Sequence, residues 1–180
     1  LSFKFCFDEE EKKNWKPAAE CYETFVREYP DATEKAPQAL WNAGLAWEKA
    51  FDIGKAIEVR IQLLNNYGGS ELAPETLYRI GANWHGIATF SEAANFYEHL
   101  VINFPGHKDA KTALTNAAAF RDGLGQVDKA IEDYDLYVAR FGASETPERV
   151  ETLKFKTGEI YFKNKRYQDA IDRFEAYRQQ

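Results

Sequence analysis

Apolar residues recur every three or four positions along most of the chain, and this spacing predicts amphipathic α-helices. One such run comprises Ile53, Ile57, Ile61 and Leu64. Turn signals such as the segment 52–54 separate consecutive runs. The pattern predicts about ten helices, at residues 1–13, 15–29, 34–50, 54–67, 72–87, 90–104, 107–122, 127–141, 147–163 and 167–179.

One stretch has a different period. Residues 3–7, Phe-Lys-Phe-Cys-Phe, alternate between apolar and polar types, which is typical of a β-strand. The repeat described next places a helix there, because the helix that follows would otherwise lack a partner. We therefore expect residues 3–7 to be helical.

The helices belong to a unit that recurs at intervals of 37 to 40 residues. Each unit carries an alanine, and these marker alanines are Ala18, Ala56, Ala93, Ala130 and Ala170. Twelve positions earlier stands a small residue, here called the small-residue position, which is occupied by Cys6, Gly44, Gly81, Ala118 and Gly158. Small side chains at paired places allow two helices to cross closely. We therefore predict helix packing at Gly44, Ala56, Gly81, Ala93, Ala118, Ala130, Gly158 and Ala170.

The spacing divides the chain into four and a half to five repeats of a single array. Their approximate ranges are 1–31, 32–69, 70–106, 107–144 and 145–180. The sequence contains no methionine, so we expect it to be part of a longer or processed chain.

Two repeats carry the pattern most completely. In the third repeat it reads Gly81-x2-Trp84, then Ala93-x3-Tyr97, then Pro105. In the fifth repeat it reads Gly158-x2-Tyr161, then Ala170-x3-Phe174. This pattern resembles the tetratricopeptide repeat (TPR), and the resemblance extends over essentially the whole chain. It implies an all-α fold, a right-handed superhelical solenoid of antiparallel helix pairs, and a role in protein–protein interaction.

The repeats are longer than the usual TPR length of about 34 residues. They close with Phe/Tyr-Pro or Tyr/Phe-Gly, as at residues 29–30 and 104–105. In this they resemble TPR proteins of the bacterial cell envelope, such as the outer-membrane assembly lipoprotein and the coordinator of the Tol–Pal system. The resemblance implies a periplasmic or outer-membrane location, and the cytoplasm is the alternative.

The first helix of each pair forms the inner wall of such a superhelix. Aromatic side chains there would provide rigid contact area, and Asn and Arg would bond to a partner's backbone. The predicted partner-binding groove comprises Phe3, Trp41, Asn42, Tyr78, Arg79, His85, Asn116, Phe155 and Lys156. The alternative is that these aromatic residues pack between adjacent helices.

Composition narrows the possible partners. The chain has 180 residues, with 23 Lys and Arg against 29 Asp and Glu, a net charge of −6. An acidic chain without a basic block is a poor ligand for nucleic acid. No apolar run reaches the roughly 18 residues that a membrane span needs. We expect other proteins as partners, through an extended or helical segment or an adjacent subunit.

No catalytic pattern is present in the sequence. The three histidines, His85, His99 and His107, lack zinc-type spacing with one another or with cysteine. There is no phosphate-binding glycine motif and no Gly-x-Ser-x-Gly motif. We therefore predict a non-enzymatic scaffold without catalytic residues, metal or cofactor.

Two other functions stay open. The chain could be a structural subunit that docks through its convex face or its repeat ends. It could also be the non-catalytic repeat portion of an enzyme whose catalytic domain lies elsewhere.

Cys6 and Cys21 fall on the facing sides of the first predicted helix pair. A disulfide between them would close a loop of about 15 residues, worth roughly 3 kcal/mol. The alternative is two buried thiols that behave as small apolar groups.

Overall fold

The computed structural model describes residues 2–178, and within this range every regular element is helical. One 3-10 turn, Gly142–Ser144, follows α8. The ten α-helices are α1 Phe3–Glu11, α2 Trp15–Glu28, α3 Lys35–Lys49, α4 Ile53–Tyr67, α5 Ala73–Gly86, α6 Phe90–Asn103, α7 Ala110–Gly123, α8 Val127–Phe141, α9 Pro147–Lys163 and α10 Tyr167–Arg178. The predicted helix bounds within this range agree to within three residues, and the all-α prediction is confirmed.

Local signals in the sequence explain several helix starts. The side chain of Asp52 accepts a hydrogen bond from the backbone N–H of Lys55, which caps α4. Thr146 caps α9 in the same way through Arg149 N–H, and Pro147 occupies the first turn. The alternating stretch 3–7 is helical, as the repeat required.

The chain forms two compact units, Leu1–Ile87 and Ala88–Gln180. In the first unit, each of the helices α1 to α5 packs against the next along the chain. In the second unit, helices α6 to α10 follow the same rule. That the five repeats form a single continuous array stays a prediction.

One backbone conformation recurs seven positions after each small-residue position. There φ is positive, between 60° and 70°, at Lys13, Phe51, Ala88, Gly125 and Lys165. Only one of these five residues is a glycine, so the other four accept a strain of roughly 1 kcal/mol each. The conserved offset shows that the hairpin turn is set by the repeat and not by local glycine.

The eight predicted packing residues are all buried. A Cβ atom added to Gly44 would lie 3.1 Å from the Arg60 guanidinium, and one added to Gly158 would lie 2.5 Å from Phe174. Arg60 and Phe174 each stand 16 positions after their glycine, on the second helix of the pair. The small residue therefore makes room for the side chain four positions beyond the marker alanine.

Cys6 and Cys21 form a disulfide that ties α1 to α2. Both residues are buried among the aromatic side chains of the first hairpin. Phe3 packs edge-on against Tyr22 and Phe25, with ring centroids 5.3 and 5.5 Å away. The disulfide and this aromatic cluster together close the first repeat.

Reduction of the disulfide should destabilise the first unit. A loop of 15 residues is closed, so the free energy of unfolding should fall by about 3 kcal/mol when the bond is lost. Urea denaturation followed by circular dichroism, with and without dithiothreitol, measures the difference. A Cys6→Ala, Cys21→Ala variant should match the reduced protein and no longer respond to dithiothreitol. Superimposable curves for the oxidised and reduced protein would contradict the prediction.

Gly158→Ala should lower the free energy of unfolding by about 1–3 kcal/mol, because the new Cβ displaces the Phe174 ring. Gly123→Ala is the matched control. It is in the same unit, and nothing lies within 4 Å of a Cβ there. The measurement is urea denaturation of both variants beside the unaltered chain. Equal midpoints for the two variants would show that the close approach at Gly158 carries no energy.

Candidate protein-binding surfaces

In the first unit, four predicted groove residues lie on α3 and α5 and are half-buried. They are Trp41, Asn42, Tyr78 and Arg79. Trp41 packs against the core cluster, and the carboxamide of Asn42 accepts a hydrogen bond of 2.9 Å from Gln38. The Arg79 side chain lies 3.4 Å from the carboxylate of Glu75 and is partly exposed. This α3/α5 surface therefore presents aromatic and polar groups together.

The other two predicted residues of the first unit lie apart from this surface. His85 is exposed near the C-terminal end of α5. Phe3 is partly buried in the aromatic cluster of the first hairpin. Its contacts favour the alternative stated above, in which the aromatic residue packs between helices.

A buried arginine that the sequence analysis did not identify lies beneath the α3/α5 surface. Arg60 is fully buried, and its Nη1 donates a hydrogen bond of 2.6 Å to Asn83 Oδ1. The same nitrogen lies 3.1 Å from Glu48 Oε1, which also accepts a hydrogen bond from Asn83. These three side chains join α3, α4 and α5.

The environment of Arg60 is electrostatically costly. Burial lowers the pKa of its guanidinium, the charge and hydrogen bond of Glu48 raise it, and the charge of Arg79 lowers it further. The ring centroid of Trp41 lies 6.0 Å from the guanidinium carbon. A buried ion pair of this kind is weak evidence for stability, but removing one partner would leave a buried charge uncompensated. It fixes the relative position of the helices that carry Trp41 and Arg79.

The sequence did contain a signal for Arg60. The residue four positions after the marker alanine is aromatic in the other repeats, namely Tyr22, Tyr97, Tyr134 and Phe174. Arg60 alone breaks this rule. A buried aromatic position occupied by arginine indicates a buried ion pair, because a charge there needs partners.

The second unit contains a comparable buried arginine. Arg121 occupies the place held by Trp47, Trp84 and Tyr161 in other repeats, and it is fully buried. It donates hydrogen bonds of 2.6 to 2.7 Å to one carboxylate and two amide side chains, those of Glu98, Asn95 and Gln126. In sequence, Arg121 is an exception to the aromatic residues at this place. Its contacts join α6 to α7 and to the turn that follows α7.

Asp133 of α8 is buried beside this network. Its burial and the nearby negative charge of Glu98 raise its pKa to about 8, although the charge of Arg121 opposes the shift. Its Oδ2 atom has no hydrogen-bond partner among the described residues. The pKa of Asp133 therefore lies well above its ordinary range, because burial and the charge of Glu98 outweigh the charge of Arg121.

The remaining predicted residues lie in the second unit. Asn116 is half-buried on α7, and Lys156 of α9 lies 3.9 Å from the carboxylate of Asp122. Phe155 is 43% exposed and packs against Phe174 of α10, with ring centroids 5.0 Å apart. A cavity of about 510 Å³ opens beside Phe155 and Lys156. Its lining residues are Phe155, Lys156, Glu159, Ile160, Phe162, Lys163 and Phe174.

No helix within residues 2–178 is long and apolar enough to cross a membrane.

Asp133→Asn should change how the stability of the second unit depends on pH. The folded-state pKa of about 8 lies above the ordinary value of 3.8, so the folded protein retains a proton that the unfolded chain has lost. Stability from this proton is fully present below about pH 4 and falls as the pH rises to about 8, by up to roughly 1.4 kcal/mol per pH unit. Asn cannot ionise, so the variant lacks this dependence.

Urea denaturation at several values between pH 5 and pH 9 measures the effect. The free energy of unfolding of Asp133→Asn, minus that of the unaltered chain, should increase by at least about 1 kcal/mol as the pH rises over this range. Glu151→Gln at an exposed position of α9 is the control, because it removes a carboxylate that does not act on Asp133, and it should track the unaltered chain. Parallel profiles for Asp133→Asn and the unaltered chain would contradict the assignment.

Comparison with known proteins agrees with this geometry. The sequence profile of the tetratricopeptide repeat matches residues 6–32 and 152–180. A search of curated proteins gives no significant match. The two matched segments are the first and last predicted repeats, and they support the TPR family.

Solved structures resemble the chain at low sequence identity. The nearly identical TPR-like repeats of Podosopora anserina match with a TM-score of 0.55 and 15% identity, covering 97% of this chain and 90% of that one. MamA from Desulfovibrio magneticus RS-1 matches with a TM-score of 0.53 and 18% identity, covering 98% of this chain and 90% of that one. BtubC from P. vanneervenii matches with a TM-score of 0.53 and 11% identity, covering 97% of this chain and 76% of that one. At such identities the likeness shows the fold alone, and that fold is of the TPR type.

Proposed function

We propose that this protein is a non-enzymatic scaffold that binds a segment of a partner protein on the α3/α5 surface. The observation that carries the proposal is the set of half-buried aromatic and polar side chains on neighbouring first helices. Trp41 and Tyr78 offer rigid apolar area, while Asn42 and Arg79 offer hydrogen-bonding groups beside them. Aromatic residues and arginine are the types enriched where protein interfaces derive most of their energy.

The buried triad beneath the surface supports this role. Arg60, Glu48 and Asn83 hold α3, α4 and α5 in one arrangement through hydrogen bonds and an ion pair. A surface that is already ordered loses little conformational entropy when a partner binds. The scaffold therefore acts by preorganisation, and a partner segment lies along helices whose positions do not have to adjust.

We further propose a bacterial envelope location. The long repeats that close with Phe/Tyr-Pro or Tyr/Phe-Gly support it by resemblance. The buried Cys6–Cys21 disulfide is also in keeping with an oxidising compartment, since disulfides are rare in the cytosol.

Substitution on the α3/α5 surface should remove the partner without unfolding the chain. We expect Trp41→Ala with Tyr78→Ala to reduce partner capture from source cells at least about tenfold, since such anchors are each worth over 1 kcal/mol. Quantitative mass spectrometry of proteins captured by the tagged chain measures the effect. Envelope proteins are expected among those lost.

Two further variants make the test specific. Asn42→Ala with Arg79→Ala removes polar groups without removing core-packing area, and it should also weaken capture. Phe51→Ala alters a residue that is 91% exposed at a hairpin turn of the same unit, and it should leave capture unchanged. Circular dichroism confirms that each variant is folded. Equal capture by all the folded variants would refute binding at this surface.

A further inference from the structure

Helix α1 is held in the first unit differently from the other first helices. Of its nine residues only Cys6 is buried, whereas α3, α5, α7 and α9 each bury at least four. The disulfide from Cys6 to Cys21, together with the ring contacts of Phe3, therefore accounts for most of the attachment of α1 to α2.

A chain of polar contacts joins α1 to the α3/α5 surface. The hydroxyl of Tyr22 donates a hydrogen bond of 3.1 Å to the carboxylate of Glu10 on α1. Burial and the charge of Glu10 raise the pKa of Tyr22 to about 12, and a hydrogen bond from Asn42 opposes this shift. Lys49 of α3 also lies 3.8 Å from the Glu10 carboxylate. The surface that contains Asn42 therefore continues onto α1.

The place directly after the small-residue position stays accessible along the chain. Its occupants are Phe7, Leu45, Ala82, Ala119 and Glu159. Leu45 and Ala82 are half-buried, while Ala119 and Glu159 are exposed. Leu45 shows that this place is open even on α3, which has helices of other repeats on both sides. Phe7 puts an aromatic ring there, and that ring is 47% exposed.

Phe5 on the same helix belongs to a different face. It is 51% exposed and stands directly before the small-residue position. The residues at that place in the other repeats are all buried, namely Ala43, Ile80, Ala117 and Thr157. By the same register, a repeat packed in front of α1 would cover Phe5 and would leave Phe7 open. The accessibility of Phe7 therefore does not depend on what precedes α1.

We propose that the α3/α5 surface extends onto α1 and that Phe7 there contacts the same partner segment as Trp41 and Tyr78. The Cys6–Cys21 disulfide positions Phe7 for this contact, because it fixes the helix that carries the ring. The inference rests on the proposed function and adds a third anchor to it. A ring held on a fixed helix provides contact area at little entropic cost to binding.

The spacing of the anchors describes the partner segment. Packed helices lie about 8–10 Å apart, and an extended chain advances about 3.3 Å per residue. A segment of about seven residues, with apolar side chains about three residues apart, therefore spans α1, α3 and α5. Lys4 and Glu11 are exposed on the same side of α1 as Phe7, and they form a polar rim of opposite charges beside it.

A phage-displayed library of random peptides of about 12 residues provides the probe, since that length exceeds the expected span. Peptides are selected on the oxidised 180-residue chain. Those that no longer bind Trp41→Ala with Tyr78→Ala use the α3/α5 surface, and fluorescence anisotropy then measures their Kd. A selection that gives no such peptide would refute the proposed function, and the inference would fall with it.

Phe7→Ala should raise the Kd of these peptides at least about fivefold, as the loss of an interface anchor does. Phe5→Ala is the matched control, because it removes the same ring from the same helix at similar exposure. It should leave the Kd unchanged to within about twofold. Circular dichroism checks that both variants are folded. Peptides that need Trp41 and Tyr78 but bind Phe7→Ala normally would support the proposed function and refute its extension onto α1.

A double-mutant cycle tests the role of the disulfide. Cys6→Ala with Cys21→Ala should raise the Kd at least about threefold, measured at a temperature where circular dichroism shows the variant folded. The same pair of substitutions should add nothing in the Phe7→Ala background, because the disulfide acts on binding through Phe7. An equal loss of affinity in both backgrounds would show that the disulfide does not position this ring, and it would refute that part of the proposal.

Discussion

The fold depends on one close approach that is repeated along the chain. On the first helix of a pair, a small residue leaves a gap, and a large side chain 16 positions later fills it. Gly44 accommodates Arg60 in this way, and Gly158 accommodates Phe174. At Gly158 this approach leaves no room for a Cβ atom, whereas Cys6 and Ala118 at the same position show that a slightly larger residue fits in other repeats. The positive-φ residue that follows at a fixed offset returns the chain so that the second helix meets the first.

The first repeat meets the same constraint by a covalent route. Cys6 stands at its small-residue position, and the bond to Cys21 holds α1 against α2. Phe3, Tyr22 and Phe25 then pack around the crossing. Phe3, a predicted groove residue, thus also contributes to the aromatic packing of its own hairpin.

Buried charge distinguishes this chain from an idealised repeat. Arg60 and Arg121 each replace an aromatic residue at a place that faces the interior. Each has carboxylate and amide partners from other elements, and most of these partners are distant in sequence: Asn83 is 23 positions from Arg60, and Glu98 and Asn95 are 23 and 26 positions from Arg121. Such networks add little net stability, but wrong pairings would leave a charge without partners, so they specify one arrangement of helices. Side chains that these helices present on their surface are therefore held in fixed relative positions.

The sequence by itself determined the helices, their bounds to within three residues, the turns between them and the repeat of small residues. These features depend on local periodicity and on capping and turn residues, which act over a few positions. Only the tertiary structure decided the surroundings of the predicted groove residues, since Trp41 lies beside the buried Arg60 whereas Phe3 packs against Tyr22 and Phe25. It also decided that burial raises the pKa of Asp133. These properties depend on side chains that are distant in sequence but close in space. Such neighbours decide how deeply a residue is buried and which charges surround it, and the residue's own position in the repeat does not.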